Sequence, residues 1–216
     1  MGDDFTNHQV FANDDDRPSL IQVIRSHFEQ SGYAPSAESE FGRSVAVGPA
    51  TDWIPILDSA GTEWEDNEAF TDLSVELSRV WPVVDIATSD SAAISLALYS
   101  DGKLVDQFRN LDPPFYAFPS EEKALKYRGD TQTWIQLVAN SLHAGELRTA
   151  WPQGLGSWAD QILDQTAELL GWHPHLCQVG YTIGYDGCPV KYDEHYKSER
   201  HVLTGIEEFH FTPKNM

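Results

Sequence analysis

The feature that most constrains the fold is a hairpin signal between residues 92 and 110. Ile94, Leu96 and Leu98 alternate with small or polar residues, which is the pattern of a strand with one buried face. An Asp-Gly pair at positions 101–102 separates this run from a second one of similar character. Asp-Gly between two such runs is typical of a two-residue hairpin with a type I′ turn. The segment therefore predicts two adjacent antiparallel strands.

A two-residue turn also fixes the register, because the residues that flank it must pair with each other. The register expected here places Tyr99 opposite Leu104 and Leu98 opposite Val105. Asp106 then lies on the strand face opposite to Val105, since successive side chains point to opposite faces. If that face is solvated, Asp106 is a surface residue.

The rest of the chain shows helical and strand-like patterns in turn. Val80 and Trp158 belong to the apolar faces of two predicted helices. Pro55 falls inside a predicted strand, and because proline cannot donate a ladder hydrogen bond, we expect that strand to be at an edge or bulged. The predicted helices span residues 18–32, 66–81, 131–142 and 157–170, and the predicted strands span residues 44–47, 53–57, 83–87 and 179–185.

These patterns predict an α+β fold, with an antiparallel sheet of about five strands, helices packed on one face and a helical C-terminal half. The first 17 residues are polar and include three consecutive aspartates, so we expect residues 1–17 to form a flexible acidic arm. Residues 18–216 are expected to form a single α+β domain. A hydrophobic fraction of 41% is enough to build its core.

Negative charge is concentrated in the first half of the chain. The net charge is −20, and residues 1–102 contain 4 basic and 19 acidic residues, a net −15. A field of that sign repels nucleic acid and anionic lipid, and it attracts basic partners. The alternative is that the charge only provides solubility, or adapts the protein to a salty cytoplasm.

The sequence also indicates a cellular compartment. No run of 18 apolar residues is present, and the N-terminus lacks the basic and apolar regions of a signal peptide. The two cysteines, Cys177 and Cys188, do not form a dense disulfide framework. We therefore expect a cytoplasmic protein that does not bind membranes or nucleic acid.

Motifs for catalysis are missing from the sequence. It contains no glycine-rich nucleotide-binding fingerprint, no phosphate-binding loop and no Gly-x-Ser-x-Gly nucleophile motif. Ser157 follows a glycine at the start of a predicted helix, where its hydroxyl is better suited to capping than to attack. We assign no catalytic residue and no cofactor.

One cluster has the residue types of a metal site. His173, His175, Cys177 and Cys188 are weak candidates for zinc ligands. Ten residues separate the two cysteines, whereas the ligand pairs of zinc fingers are two to four residues apart. The proline between the two histidines also disfavours a regular strand on which both would face one side. The alternative is a loop after a helix, with solvent-facing histidines and buried thiols.

Residues for binding a partner are expected on acidic and aromatic loops. The Pro-rich aromatic segment 111–119 resembles the anchors found at protein interfaces, although it could equally be a loop that covers one end of the core. The candidate partner-binding residues are Glu63, Glu65, Asp66, Asp85, Asp90, Phe115 and Tyr116.

Several segments together resemble a pattern found in uncharacterised bacterial proteins that have no established activity. The matching pieces are Trp-Ile-Pro-Ile-Leu-Asp at 53–58, Leu-Tyr-Ser-Asp-Gly-Lys-Leu-Val-Asp at 98–106, and the helix end at 169–171 followed by Val-Gly-Tyr at 179–181. The resemblance covers roughly residues 45–185. It implies a bacterial origin and a continuous domain, and it assigns no catalytic residue.

We therefore expect an acidic protein-binding module that neutralises a basic protein, as bacterial immunity proteins and antitoxins do. Two alternatives stay open. The first is a structural or regulatory protein whose charge is environmental, and the second is a metal-dependent hydrolase that uses the His173–Cys188 cluster.

Overall fold

The computed structural model describes residues 5–37, 42–60, 68–90, 92–112, 117–138, 142–183, 189–190 and 205–214. Within these ranges, the strands are β1 Phe5–Val10, β2 Tyr33–Ser36, β3 Arg43–Val47, β4 Ile54–Asp58, β5 Val83–Ser89, β6 Ala93–Ser100, β7 Lys103–Arg109, β8 Thr182–Ile183, β9 Pro189–Val190 and β10 Glu207–Pro213. Eight of them form an antiparallel sheet in the order β2-β10-β3-β4-β1-β5-β6-β7. The two short strands β8 and β9 pair separately.

Helices cover both faces of the sheet. The described helices are α1 Arg17–Gln30, α2 Glu68–Leu77, α3 Glu121–Lys126, α4 Thr131–Val138, α5 Ala144–Ala150 and α6 Ala159–Leu170. One layer holds α1 and α2, and the other holds α4, α5, α6 and the segment 176–181. The α+β class is confirmed, but the sheet has eight strands rather than about five, and the helices are neither on one face nor confined to the C-terminal half.

The N-terminal segment corrects the expectation of a flexible arm. β1 lies between β4 and β5 in the middle of the sheet, and all six of its residues are buried. Its four central residues are polar, so no apolar alternation marks it as a strand. Several of their polar atoms are hydrogen-bonded inside the protein instead; for example, Asn7 Nδ2 donates to the carbonyls of Cys177 at 3.0 Å and Val179 at 2.9 Å.

The strand that contains Pro55 is an interior strand, which corrects the expectation of an edge or a bulge. β4 pairs with β3 on one side and with β1 on the other. Gly48 N donates to Pro55 O at 2.8 Å, and Pro55 has no N–H to return the bond. The guanidinium of Arg17 supplies the missing donor to Gly48 O. Its other terminal nitrogen donates to Val47 O at 2.9 Å, so α1 is tied to the sheet there.

The hairpin between β6 and β7 is confirmed, with one change of register. Asp101 and Gly102 have φ angles of +53° and +72°, as a type I′ turn requires. Tyr99 pairs with Leu104 as expected, but Leu98 pairs with Asp106 rather than with Val105. A β-bulge on β7 causes the shift, because it places one extra residue in that strand.

The sheet separates two main cores. The α1/α2 side buries Leu20, Ile24 and Phe28, which form the apolar face of the helix that the sequence predicts over residues 18–32. Val80 and Trp158 are instead 59% and 56% exposed, because each lies just outside its helix.

Among the described residues, no helix combines the length and apolar character needed to cross a membrane.

The close packing of segment 176–181 on β1 gives a prediction. A Cβ added to Gly180 would lie 2.4 Å from Thr6 O, and backbone atoms cannot move aside easily. We expect Gly180→Ala to lower the free energy of unfolding by about 1–3 kcal/mol in urea denaturation. Gly145 of α5 has open space around its Cβ position, so Gly145→Ala should raise it by up to about 1 kcal/mol. Equal effects of the two substitutions would contradict this packing.

Candidate functional site

A row of buried polar side chains crosses the middle of the sheet on its α1/α2 side. Arg43 of β3, Asp58 of β4, His8 of β1 and Asp85 of β5 come from four adjacent strands, and Ser74 of α2 lies above them. All five residues are buried, and His8 and Asp58 are 0% exposed. Charged groups are almost never buried in this way unless they are paired, so the contacts within the row decide its chemistry.

The strongest contact in the row is the ion pair between Arg43 and Asp58. Arg43 Nε lies 2.7 Å from Asp58 Oδ1, and a terminal nitrogen of the guanidinium binds Oδ2, so the pair is bidentate. The guanidinium also stacks on Phe28 of α1, with 4.8 Å from Cζ to the ring centroid. Burial alone would raise the pKa of Asp58, but Arg43 and then His8 overcome it and hold that pKa well below its usual range.

His8, Asp85 and Ser74 carry the residue types of a catalytic triad, but their geometry is different. Asp85 Oδ1 lies 2.7 Å and Ser74 Oγ lies 3.0 Å from the same nitrogen, His8 Nδ1. In a triad the serine and the carboxylate bind opposite nitrogens of the imidazole. The serine is also fully buried on the side of α2 that faces the sheet. The arrangement therefore differs from that of a catalytic triad.

Removing one member of the buried ion pair should be costly, because it leaves the other charge unpaired. We expect Arg43→Met to lower the free energy of unfolding by about 3–5 kcal/mol in urea denaturation. Arg79→Met is the matched control, since Arg79 is 63% exposed and pairs with Glu76 at 3.2 Å on the surface. That substitution should change stability by less than about 1 kcal/mol. Similar losses in the two variants would contradict a buried pair that holds the sheet together.

The candidate binding site is a groove where β1 ends and where α6 ends. Its volume is about 630 Å³. No basic side chain lines the groove among the described residues. Its lining includes Phe11, Asp16, Asp52, Val138, Glu168 and Leu169.

The electrostatics of the groove favour a cation. Asp52 and Glu168 are exposed, and Asp16 is partly exposed. A Cβ built on Gly171 would lie 3.2 Å from Asp52 Oδ2, which places that carboxylate next to the end of α6. The C-terminus of a helix carries a partial negative charge, yet the last turn of α6 contains no basic residue. The groove therefore gathers negative charge that no described ion pair compensates.

The structure separates the residues that the sequence proposed for binding a partner. Asp85 is buried and accepts hydrogen bonds from His8 and Ser74, so its carboxylate is not on the surface. Asp90 is exposed in the turn between β5 and β6, with a φ angle of +51°. The other five candidates lie outside the described residues; these are Glu63, Glu65, Asp66, Phe115 and Tyr116.

The candidate metal ligands are placed as follows. His173 Nδ1 accepts hydrogen bonds from the backbone N–H groups of His175 at 3.3 Å and Leu176 at 3.2 Å, so the lone pair of that nitrogen is already engaged by the backbone. Cys177 is buried, and its Sγ lies 3.7 Å from Pro174 O. Cys188 lies outside the described residues. Within the described part of the chain, no three His, Cys, Asp or Glu residues are arranged to hold a metal ion.

The environment of Cys177 predicts an unreactive thiol. Burial, followed by the charge of Asp164, raises its pKa to about 12. At pH 8 only about one such thiol in ten thousand is ionised. In a Cys188→Ser variant, we expect an aromatic disulfide reagent to label Cys177 only as fast as the protein unfolds. Rapid labelling of the native variant would contradict this, and would favour a nucleophilic or metal-binding thiol.

The groove leaves little local signal in the sequence. Asp16 falls in the segment that the sequence predicts to be a flexible arm, whereas its Oδ2 accepts the Asn13 N–H at 3.1 Å and caps the turn before α1. Asp52 and Glu168 are far apart in the sequence, and only the fold brings them together. One usable signal was the absence of a basic residue from the last turn of α6, where an acid stands instead.

Comparison with known proteins adds no assignment, because no family model, curated protein or solved structure matches this chain.

Proposed function

We propose that this chain is an acidic protein-binding module that receives a basic segment of a partner protein in the groove beside α6. The observation that carries the proposal is the convergence of Asp16, Asp52 and Glu168 on one concavity without a basic residue among the described lining residues. A lysine or arginine side chain would provide the charge that this arrangement lacks.

The groove also offers apolar contacts to such a side chain. Phe11 is 36% exposed, and its ring centroid lies 5.0 Å from that of Trp53, so the buried indole supports it. An aromatic face next to carboxylates suits a guanidinium, which binds through both cation–π and ion-pair contacts. Val138 and Leu169 complete the lining and suit the aliphatic part of a long basic side chain.

The overall charge also favours the binding of a basic partner. A net charge of −20 would speed the encounter with a basic protein at low salt, while the groove would hold one of its side chains. Immunity proteins and antitoxins neutralise basic partners in this manner, and we place the chain in that functional class. Its partner would then be a basic protein rather than nucleic acid or a membrane.

Neutralising the groove tests the proposal. The variant Asp16→Asn/Asp52→Asn/Glu168→Gln removes three negative charges with little change in shape. We expect it to bind an acetylated, amidated hexa-arginine peptide about tenfold more weakly than the wild type by calorimetry at low salt. Wild-type binding should also weaken as salt increases, because the contact is between exposed charges.

The matched control removes the same charge elsewhere. Asp101→Asn/Glu121→Gln/Glu122→Gln alters three exposed acids outside the groove and should keep nearly the wild-type affinity. If the control loses as much affinity as the groove variant, the peptide senses only the net charge and the groove is not a site. Absence of binding by the wild type at low salt would also reject the proposal.

A further inference from the structure

Both nitrogens of the buried imidazole of His8 face carboxylate oxygens. Nδ1 lies 2.7 Å from Asp85 Oδ1, and Nε2 lies 3.7 Å from Asp58 Oδ2. An ionised carboxylate only accepts hydrogen bonds, so the contact with Asp85 requires a proton on Nδ1. A neutral ring would then direct the lone pair of Nε2 towards the second carboxylate. The geometry therefore favours the doubly protonated imidazolium.

The charge count of the row leads to the same conclusion. Arg43 contributes one positive charge, and Asp58 and Asp85 contribute two negative charges. With His8 protonated the buried row is neutral, whereas with His8 neutral it carries a net charge of −1 in the interior. An uncompensated buried charge costs several kcal/mol, so the proton on His8 is part of the folded structure.

Ser74 connects the row to α2 through Asp85. Its hydroxyl donates to Asp85 Oδ1 at 2.6 Å and lies 3.0 Å from His8 Nδ1. Hydrophobic contacts from Leu73 and Leu77 also hold the helix on the sheet. Losing the Nε2 proton from His8 would leave the carboxylates of Asp58 and Asp85 with a single cation in the row, Arg43, which binds Asp58. The uncompensated negative charge would then lie beneath α2.

We propose that the proton on His8 acts as a latch that holds α2 against the sheet, and that raising the pH releases the helix by removing this proton. This conformational change does not depend on the groove or on its partner.

The pKa of His8 supports the direction of the effect. Burial lowers this pKa, but the charge and hydrogen bond of Asp85 and the nearby carboxylate of Asp58 outweigh burial, and the net shift is upward from 6.5. A group with a raised folded pKa stabilises the fold fully below its unfolded pKa, and the stabilisation is lost as the pH rises through the folded value. The latch therefore opens on the alkaline side of pH 6.5.

Other charged groups near the row do not reproduce this behaviour. His27 of α1 is half-buried, and burial followed by the charge of Arg43 lowers its pKa, so it loses its proton on the acidic side instead. Asp72 and Glu76 of α2 oppose that shift at His27. Arg43 keeps its charge throughout, because Asp58 outweighs burial and raises its pKa.

Hydrogen exchange combined with histidine NMR tests the latch. We expect the protection of the α2 amides, corrected for the intrinsic exchange rate, to fall by up to about tenfold per pH unit between pH 6.5 and the folded pKa of His8, and to level off above that pKa. Long-range ¹H–¹⁵N spectra of the imidazole should show His8 losing its proton over the same pH range. The protection of β7, which lies at the edge of the sheet beyond β6, should change less than that of α2.

Three variants make the test decisive. Ser74→Ala removes the hydrogen bond from α2 to Asp85. The protection of α2 in this variant should therefore no longer show the step with pH, while the His8 ring still titrates. His27→Gln and His143→Gln are the control variants and should keep the step, since the described contacts of the His8 imidazole are with Asp85, Ser74 and Asp58. If α2 protection is flat where His8 titrates, or if Ser74→Ala keeps the full step, the latch is rejected.

Discussion

The centre of this sheet is held by charges that cannot be buried separately. Each of the strands β3, β4, β1 and β5 contributes one ionisable side chain to the row from Arg43 to Asp85, and each carboxylate has a cation beside it. A register slip of one residue would send a charge to the opposite face and leave its partner unpaired in the core. The order of the central strands and the pairing of the charges therefore specify each other.

The elements that the sequence predicted are those whose signal is local. Asp101-Gly102 requires the turn that it forms, and the spacing of Leu20, Ile24 and Phe28 marks α1 without reference to the rest of the chain. β1 is different, because its polar residues become suitable for a core only next to partners from distant segments. No local pattern contains that information, so the strand that organises the sheet was assigned to an arm.

The groove follows the same logic. Its acidity could be anticipated from the charge of the first half of the chain, but its location could not, because Asp16 and Asp52 meet Glu168 only after β1 takes its place in the sheet. The bulge on β7 shows the same limit on a smaller scale. The turn fixes the first pairs of the hairpin. Asp106, which follows the bulge, accepts hydrogen bonds from Trp134 Nε1 at 2.7 Å and Asp130 N at 2.6 Å, and both of these donors lie outside the hairpin sequence.

The acidic residues therefore divide into two groups with different physical consequences. Asp58 and Asp85 have cations within the row, so they add little to the field outside the protein and contribute to the fold instead. Asp16, Asp52 and Glu168 have no described ion pair, and solvent and a helix terminus surround them. A count of charges along the sequence treats both groups alike and overstates the field that a partner meets. What attracts a basic segment is the uncompensated group, and its strength depends on where the fold concentrates it.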